Sequence, residues 1–175
     1  FIGVRDDGIE VYETSEEVKK LPWKKRRERF MKFMNEQYRG RTAKFMRNGH
    51  FYYARFSEDD VKKNIYGDKR SDDNGRDAKT NIGADGLIFE LVENASYRNS
   101  KPEEGKTTKA HKNVGYWDYF VKKVQIDGRV YDLVANVRKK PEGEFVYSLQ
   151  LNEDTNTKAV PPDSLSKAQT LNGAQ

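Results

Sequence analysis

The stretch YWDYFVKKVQIDGRVYDLVANVRKKPEGEFVYSLQLN, residues 116–152, decides the fold. Three runs rich in β-branched and aromatic residues are separated by turn formers. Asp127-Gly128 supplies the positive φ angles of a tight hairpin, and the PEGE segment at 141–144 supplies a second reversal. Alternation then assigns faces. In the middle run Tyr131, Leu133, Ala135 and Val137 point one way, while Asp132, Asn136 and Arg138 point the other. In the last run Phe145, Tyr147, Leu149 and Leu151 share a face, and Val146, Ser148 and Gln150 take the opposite one. The result is an antiparallel meander.

Upstream, Ala84, Leu87, Ile88, Leu91, Val92 and Ala95 recur at helical spacing, which predicts a helix over 84–97 packed on the apolar side of the meander. That packing leaves an open face bearing Asn136, Arg138, Ser148 and Gln150. The polar stretch 100–113 reads as the loop between helix and meander, and it carries His111 between Lys109 and Lys112 at the rim of the open face.

Nearer the start, residues 1–14 read as a hairpin turning through Asp6-Asp7-Gly8. Thr14 or Ser15 caps a helix that has Glu16 and Glu17 in its first turn. Pro22 begins another helix, whose apolar stripe holds Trp23, Phe30, Met34 and Tyr38. Asn48-Gly49 then joins two aromatic-rich strands over 41–56. The segment 64–76 is rich in turn formers and reads as a surface loop. Its Asp68, Asp72, Asp73 and Asn74 lack the alternating spacing and terminal Glu of a calcium loop, so no metal is expected. The fold class is α+β. Its organisation is a basic helix-and-hairpin region over 1–78, a helix-and-meander domain over 79–158 and a flexible tail over 159–175.

Composition bounds the function. Hydrophobic and charged residues each make up 35% of the chain, and aromatics 12%, which describes a folded and very soluble protein with an economical core. There is no cysteine, so disulfides, thiolate metal sites and a cysteine nucleophile are excluded. No apolar run approaches the roughly 18 residues of a membrane span, and no signal peptide is seen. A start at Phe1 is expected of a fragment of a longer parent. From Lys19 to Arg55 thirteen Lys or Arg face two acids, Glu28 and Glu36, although the whole chain carries only +5. Such asymmetry suits a polyanion-binding surface. Arg41, Lys44, Arg47 and Arg55 are interleaved with Phe51, Tyr52 and Tyr53, a mixture fit for phosphate neutralisation and base stacking. Strand pairing accounts for the same aromatics equally well.

The groups assembled around the meander suit metal-free RNA cleavage. That reaction needs a base for the 2′-hydroxyl, an acid for the leaving oxygen and cations around the phosphorane. A histidine serves the first two roles near neutral pH. A purely structural reading pairs Arg138 with Asp132 or Glu144 across the hairpin and makes His111 a loop cap.

The segments ADGLIFELVENA, KAHKN with the following WDYFVKKVQIDGRVYDLVANVRKK, and EFVYSLQL resemble phage and mobile-element nuclease domains of the barnase–EndoU–colicin–RelE-like superfamily. Such domains recur in large polyvalent phage proteins. The resemblance covers residues 79–158 and implies a helix followed by a meander whose open face is the active site. It implies a metal-independent, cofactor-free endoribonuclease of toxin or effector type, which cuts RNA to a 2′,3′-cyclic phosphate. In that family pattern His111 matches a catalytic histidine, Arg138 a phosphate-binding position, and Ser148 or its neighbour Tyr147 a hydroxyl on the last strand. Lys109, Lys112, Arg41, Lys44, Arg47, Tyr52 and Arg55 are the expected RNA contacts. Members with two core histidines have no counterpart here, since His50 lies in the N-terminal hairpin. The implied partners are RNA and an acidic immunity or inhibitor protein, with no membrane. The implied location is the cytoplasm of a bacterial host, reached from a virion or a larger parent protein. The alternative is a catalytically inactive nucleic-acid-binding or virion-associated module.

Overall fold

The computed structural model describes residues 1–67, 70–104 and 114–165. A hairpin of β1 (Gly3–Val4) and β2 (Glu10–Tyr12) opens the chain, as its turn residues predict. Ser15 caps α1 (Glu16–Lys19), its hydroxyl accepting from the Val18 amide at 3.2 Å. Pro22 stands at the start of α2 (Trp23–Gln37), which buries Phe30 and Met34. The hairpin of β3 (Thr42–Arg47) and β4 (His50–Phe56) turns through Asn48 and Gly49 with φ of 52° and 80°. Next come α3 (Glu58–Asp60), which runs into a π-helical turn (Val61–Ile65), then α4 (Asp73–Ala84) and α5 (Ile88–Val92). The last strands are β5 (Ser96–Pro102), β6 (Tyr116–Ile126), β7 (Arg129–Lys140) and β8 (Gly143–Glu153).

The class is α+β, and the three-stranded meander stands where the alternation puts it. Three local readings are corrected. The expected helix over 84–97 is divided, because Gly86 (φ 74°) and Asn94 (φ 65°) leave the helical region and the chain pairs as β5 from Ser96. Part of the expected loop over 64–76 is helical instead. Asp72 caps α4 through an acceptor for the Gly75 amide at 2.6 Å. The third correction concerns parity on β8. Val146 faces Val137 and Ser148 faces Asn136, so Tyr147 is an extra residue, a β-bulge. Phe145 therefore shares a face with Arg138 and Ser148, and Leu149 and Leu151 lie on the other.

The sheet does not stay open. Strand pairing runs β6–β5–β3–β4–β8–β7 and returns to β6, a closed circuit, with β2 and β1 added along the far end of β6. The inward face carries Phe120, Leu133, Ala135, Leu149 and Leu151, joined in one buried cluster with Phe30 and Met34 of α2, Ile82 of α4 and Leu91 of α5. Phe45 and Phe120 stack across it at 4.3 Å. The boundary expected at 78/79 falls inside α4, and strands from either side of it share the one sheet. Residues 159–165, expected in the tail, are anchored where Gln125 exchanges hydrogen bonds with the Val160 backbone at 2.8 and 3.0 Å. Among the described residues, no helix is long and apolar enough to cross a membrane.

A candidate active-site cleft

The expected open face exists in position but not in exposure. Asn136, Arg138 and Ser148 are 4%, 8% and 0% exposed. They lie on the side of the meander turned away from the core, under the segment between β4 and α4 and beside the end of β5. Between these coverings a cleft of about 420 Å³ remains. Asn136 lines it with Trp117, Tyr119 and Tyr147, while Arg70, Lys101, Pro102, Glu103 and Glu104 complete the lining.

Register explains how β6, β7 and β8 deliver these groups. Tyr119, Asn136 and Ser148 form one cross-strand row, and Trp117 stands opposite Arg138 in the next. The bulge turns Tyr147 towards Trp117, with ring centroids 4.9 Å apart in an edge-to-face arrangement. Behind it the Arg138 guanidinium lies 5.4 Å from the Tyr147 ring and pairs with Asp60 at 3.0 Å. Burial raises the Asp60 carboxyl above its ordinary range, and Arg138 beside it pulls in the opposite direction. Arg70 donates to Ser148 Oγ at 2.7 Å, and the Trp117 indole donates to Glu103 at 2.7 Å. Asn136 Oδ1 is buried with no hydrogen-bond partner among the described residues.

Of the catalytic residues read from the sequence, the fold brings Arg138, Tyr147 and Ser148 together. Tyr147 lines the cleft, Arg138 supports it from behind, and Ser148 is buried beneath Arg70. Arg138 is paired with neither Asp132 nor Glu144 in its salt bridge, but with the more distant Asp60. His111, Lys109 and Lys112 lie outside the described residues. The described ends of their segment sit at the cleft. Glu104 lines it, and the Glu103 amide donates to the Gly115 carbonyl at 3.2 Å.

The family model for large polyvalent protein-associated domain 3 matches residues 23–147. The chain belongs to that family. Searches of curated proteins and of solved structures return no match. The matched span of this polyvalent-protein-associated domain begins at the first residue of α2 and ends at Tyr147 in the cleft.

The domain divides the expected RNA contacts of its β3–β4 hairpin between two faces. Arg47 and Tyr52 turn inward to the buried Asp118, at 3.2 and 2.9 Å. Arg41 reaches Glu90 at 3.6 Å and lies over Phe89. Lys44 and Arg55 face the other way. Lys44 Nζ is 4.7 Å from the Phe51 ring, and the Arg55 guanidinium is 4.8 Å from Phe145. Phe51 and Tyr53 stand 60% and 54% exposed beside them. Sequence reasoning passed over Arg70, Lys101, Trp117 and Tyr119 as cleft residues. Alternation along β6 could have found the two aromatics, since Trp117 and Tyr119 share a face; nothing local marks Arg70.

Proposed function

We propose that this domain is a metal-independent endoribonuclease of a phage or mobile-element polyvalent protein, acting on RNA held in the cleft. One observation carries the reading. The cleft surrounds a buried polar floor with aromatic walls, the cations Arg70 and Lys101 and the acids Glu103 and Glu104, and chain connectivity ties the segment bearing His111 to its rim. Three peptide units separate His111 from Val114, a reach of at most about 11 Å.

In the reaction, the substrate 2′-oxygen attacks phosphorus and the bond from phosphorus to the 5′-oxygen breaks. His111 takes the 2′-hydroxyl proton, or returns a proton to the departing 5′-oxygen. Arg70 and Lys101, with Lys109 and Lys112, stabilise the negative charge of the phosphorane. The Tyr147 hydroxyl orients a phosphate oxygen, with its ring held between Trp117 and Arg138. Ser148 orients Arg70. The products are a 2′,3′-cyclic phosphate and a 5′-hydroxyl. An acidic inhibitor protein suits the basic stretch from Lys19 to Arg55, and the cytoplasm of a bacterial host is where the RNA would be met.

The test incubates several RNAs in excess EDTA with the native domain and with His111→Ala. Cleavage with cyclic-phosphate termini is expected from the native domain, reduced roughly 10²–10⁴-fold in the variant. Equal cleavage by both, or none by either, overturns the assignment.

A binding module without catalysis is the second reading. It is favoured by the internal commitments of Arg138 to Asp60 and of Ser148 to Arg70. It expects salt-sensitive RNA binding that His111→Ala leaves unchanged.

A further inference from the structure

We propose that the groove between α2 and α4 is a second contact for single-stranded RNA, where a base stacks on Trp23 and the adjoining phosphate pairs with Arg27. The inference rests on the RNA reading of the domain and adds an anchoring site outside the cleft, which cleavage itself does not require.

Helical spacing puts Trp23 in the apolar stripe of α2, yet Trp23 is no part of the buried cluster. Phe30 and Met34 of that stripe are buried, whereas Trp23 is 40% exposed. A single exposed ring is ordinary on a protein surface. This one borders a groove of about 290 Å³, whose lining also includes Arg27, Tyr66, and Arg76 and Asp77 of α4.

Arg27 is a cation already set in place. Its guanidinium lies 5.4 Å from the Tyr66 ring, and its Nε donates to the Tyr66 hydroxyl at 3.2 Å. Tyr66 is in turn held edge-on against the buried Phe30, with ring centroids 5.1 Å apart. These contacts use one nitrogen of the fork. The two terminal nitrogens have no hydrogen-bond or ion-pair partner among the described residues, and the residue is exposed. A pre-positioned fork of this kind matches two oxygens of a phosphate. Lys24 stands one helical turn earlier on the same side of α2, exposed and without an ion-pair partner among the described residues.

The other charges decide where the phosphate goes. Arg76 is already paired with Asp73 and donates to the Ser71 carbonyl at 3.2 Å. Asp77 repels an anion placed beside it. The phosphate therefore falls on the α2 side, to Arg27 and Lys24, and the base to the exposed indole. Ring stacking beside a phosphate-neutralising cation is the ordinary chemistry of single-strand binding.

Chain connectivity favours a strand over an isolated nucleotide. Gly67 lines the groove and Arg70 lines the cleft. Three peptide units separate them, a reach of at most about 11 Å. One short strand can occupy both sites.

The test measures equilibrium binding of a short 2′-O-methyl oligouridine. This probe cannot be cleaved through its 2′-oxygen, so it reads the groove whether or not the domain cuts RNA. Trp23→Ala, checked for an unchanged unfolding transition, should weaken binding about tenfold. Trp23→Phe keeps a ring and should recover most of that loss. Arg27→Gln should lower the slope of log affinity against log salt by about 0.7. UMP and poly-glutamate, the latter at equal charge concentration, should both compete more weakly than unlabelled oligouridine. The groove is excluded by a native domain that does not bind the probe, or by a folded Trp23→Ala that binds as tightly as native. Equal losses in Trp23→Phe and Trp23→Ala exclude stacking, and a native salt slope in Arg27→Gln excludes the phosphate contact. Equal competition by UMP makes the groove a mononucleotide pocket, and equal competition by poly-glutamate makes it a dock for acidic polypeptide; either overturns the inference. Should Trp23→Ala fail to fold, Arg27→Gln decides. Weakened binding in these variants without any RNA cleavage by the native domain sinks the proposed catalysis and keeps the groove. Cleavage with unaltered binding in both variants does the reverse.

Discussion

Gly83 lies where α4 crosses α2, and a Cβ there would stand 2.3 Å from the Phe30 ring. Phe30 is fully buried and packs edge-on against Tyr66, so it has little room to retreat. Gly83→Ala gains helix propensity of up to about 1 kcal/mol. Overpacking costs about 1–3 kcal/mol and prevails. Denaturant unfolding should therefore show a net loss of stability, and an unchanged or raised midpoint would refute the close approach. Gly75 makes the same point against backbone, since its Cβ would overlap the Leu151 carbonyl. These two glycines explain why α4 was illegible. The loop reading of 64–76 takes in DNGR, the first turn of α4, because Gly and Asn favour turns. Here the small residues permit contact, and the Asp72 cap together with burial of Ala78, Lys79 and Ile82 outweighs their poor propensity.

Hairpins were legible at the scale of elements because one dipeptide fixes each. Asn48-Gly49 and Asp127-Gly128 both adopt the positive φ pairs their chemistry allows. The stripe from Ala84 to Ala95 misled because buried apolar positions have the same spacing whether one helix or a helix followed by a turn supplies them. Only Gly86 and Asn94 marked the break. For the site, alternation placed Asn136 and Arg138 on one face correctly. The covering by Asp60 and Arg70 comes from long-range packing, which no local pattern encodes. The β3–β4 hairpin carries a prediction of its own. Phe51, Tyr53, Lys44 and Arg55 form an outward face of aromatics and cations. Under the RNA reading, Phe51→Ala and Tyr53→Ala should each weaken single-stranded RNA binding by about 1–3 kcal/mol, without changing the unfolding midpoint. Lys44→Gln should reduce the slope of log affinity against log salt by about one. Unaltered binding in all three variants would remove this face from the RNA path.

Closure of the sheet is a property of the whole molecule, and it is uneven. Long ladders join β6, β7 and β8, whereas β3 meets β5 at Met46 and Ser96, and β4 meets β8 only at Arg55–Phe145 and Phe56–Val146. At the opposite end of the meander Lys123 bridges Asp132 and Asp154, at 2.7 and 2.6 Å, and Thr157 donates to Asp154. The Lys123 hydrogen bond, followed by that of Thr157, holds the Asp154 carboxyl down at about 2, below its ordinary 3.8. A depressed carboxyl stabilises the folded state above its unfolded pKa and loses that contribution as pH falls through the folded value. Thermal unfolding should thus show an Asp154 contribution that fades between about pH 4 and pH 2. Asp154→Asn should flatten that part of the acid limb, and parallel acid profiles for the two proteins would contradict the assignment.

The unmatched Tyr147 has a further consequence for how this chain can vary. It acts as a half-period phase shift in β8: residues before it keep one parity and residues after it the other. Phe145 can therefore lie against Arg55 on the outside while Leu149 and Leu151 fill the inside. Any substitution that keeps an aromatic ring at 147 preserves this phase, but removal of a single residue between Val146 and Ser148 would cancel it. One half of the strand would then have to present the wrong side chains. At this point in the chain the spacing of residues is as much a part of the fold as their identity.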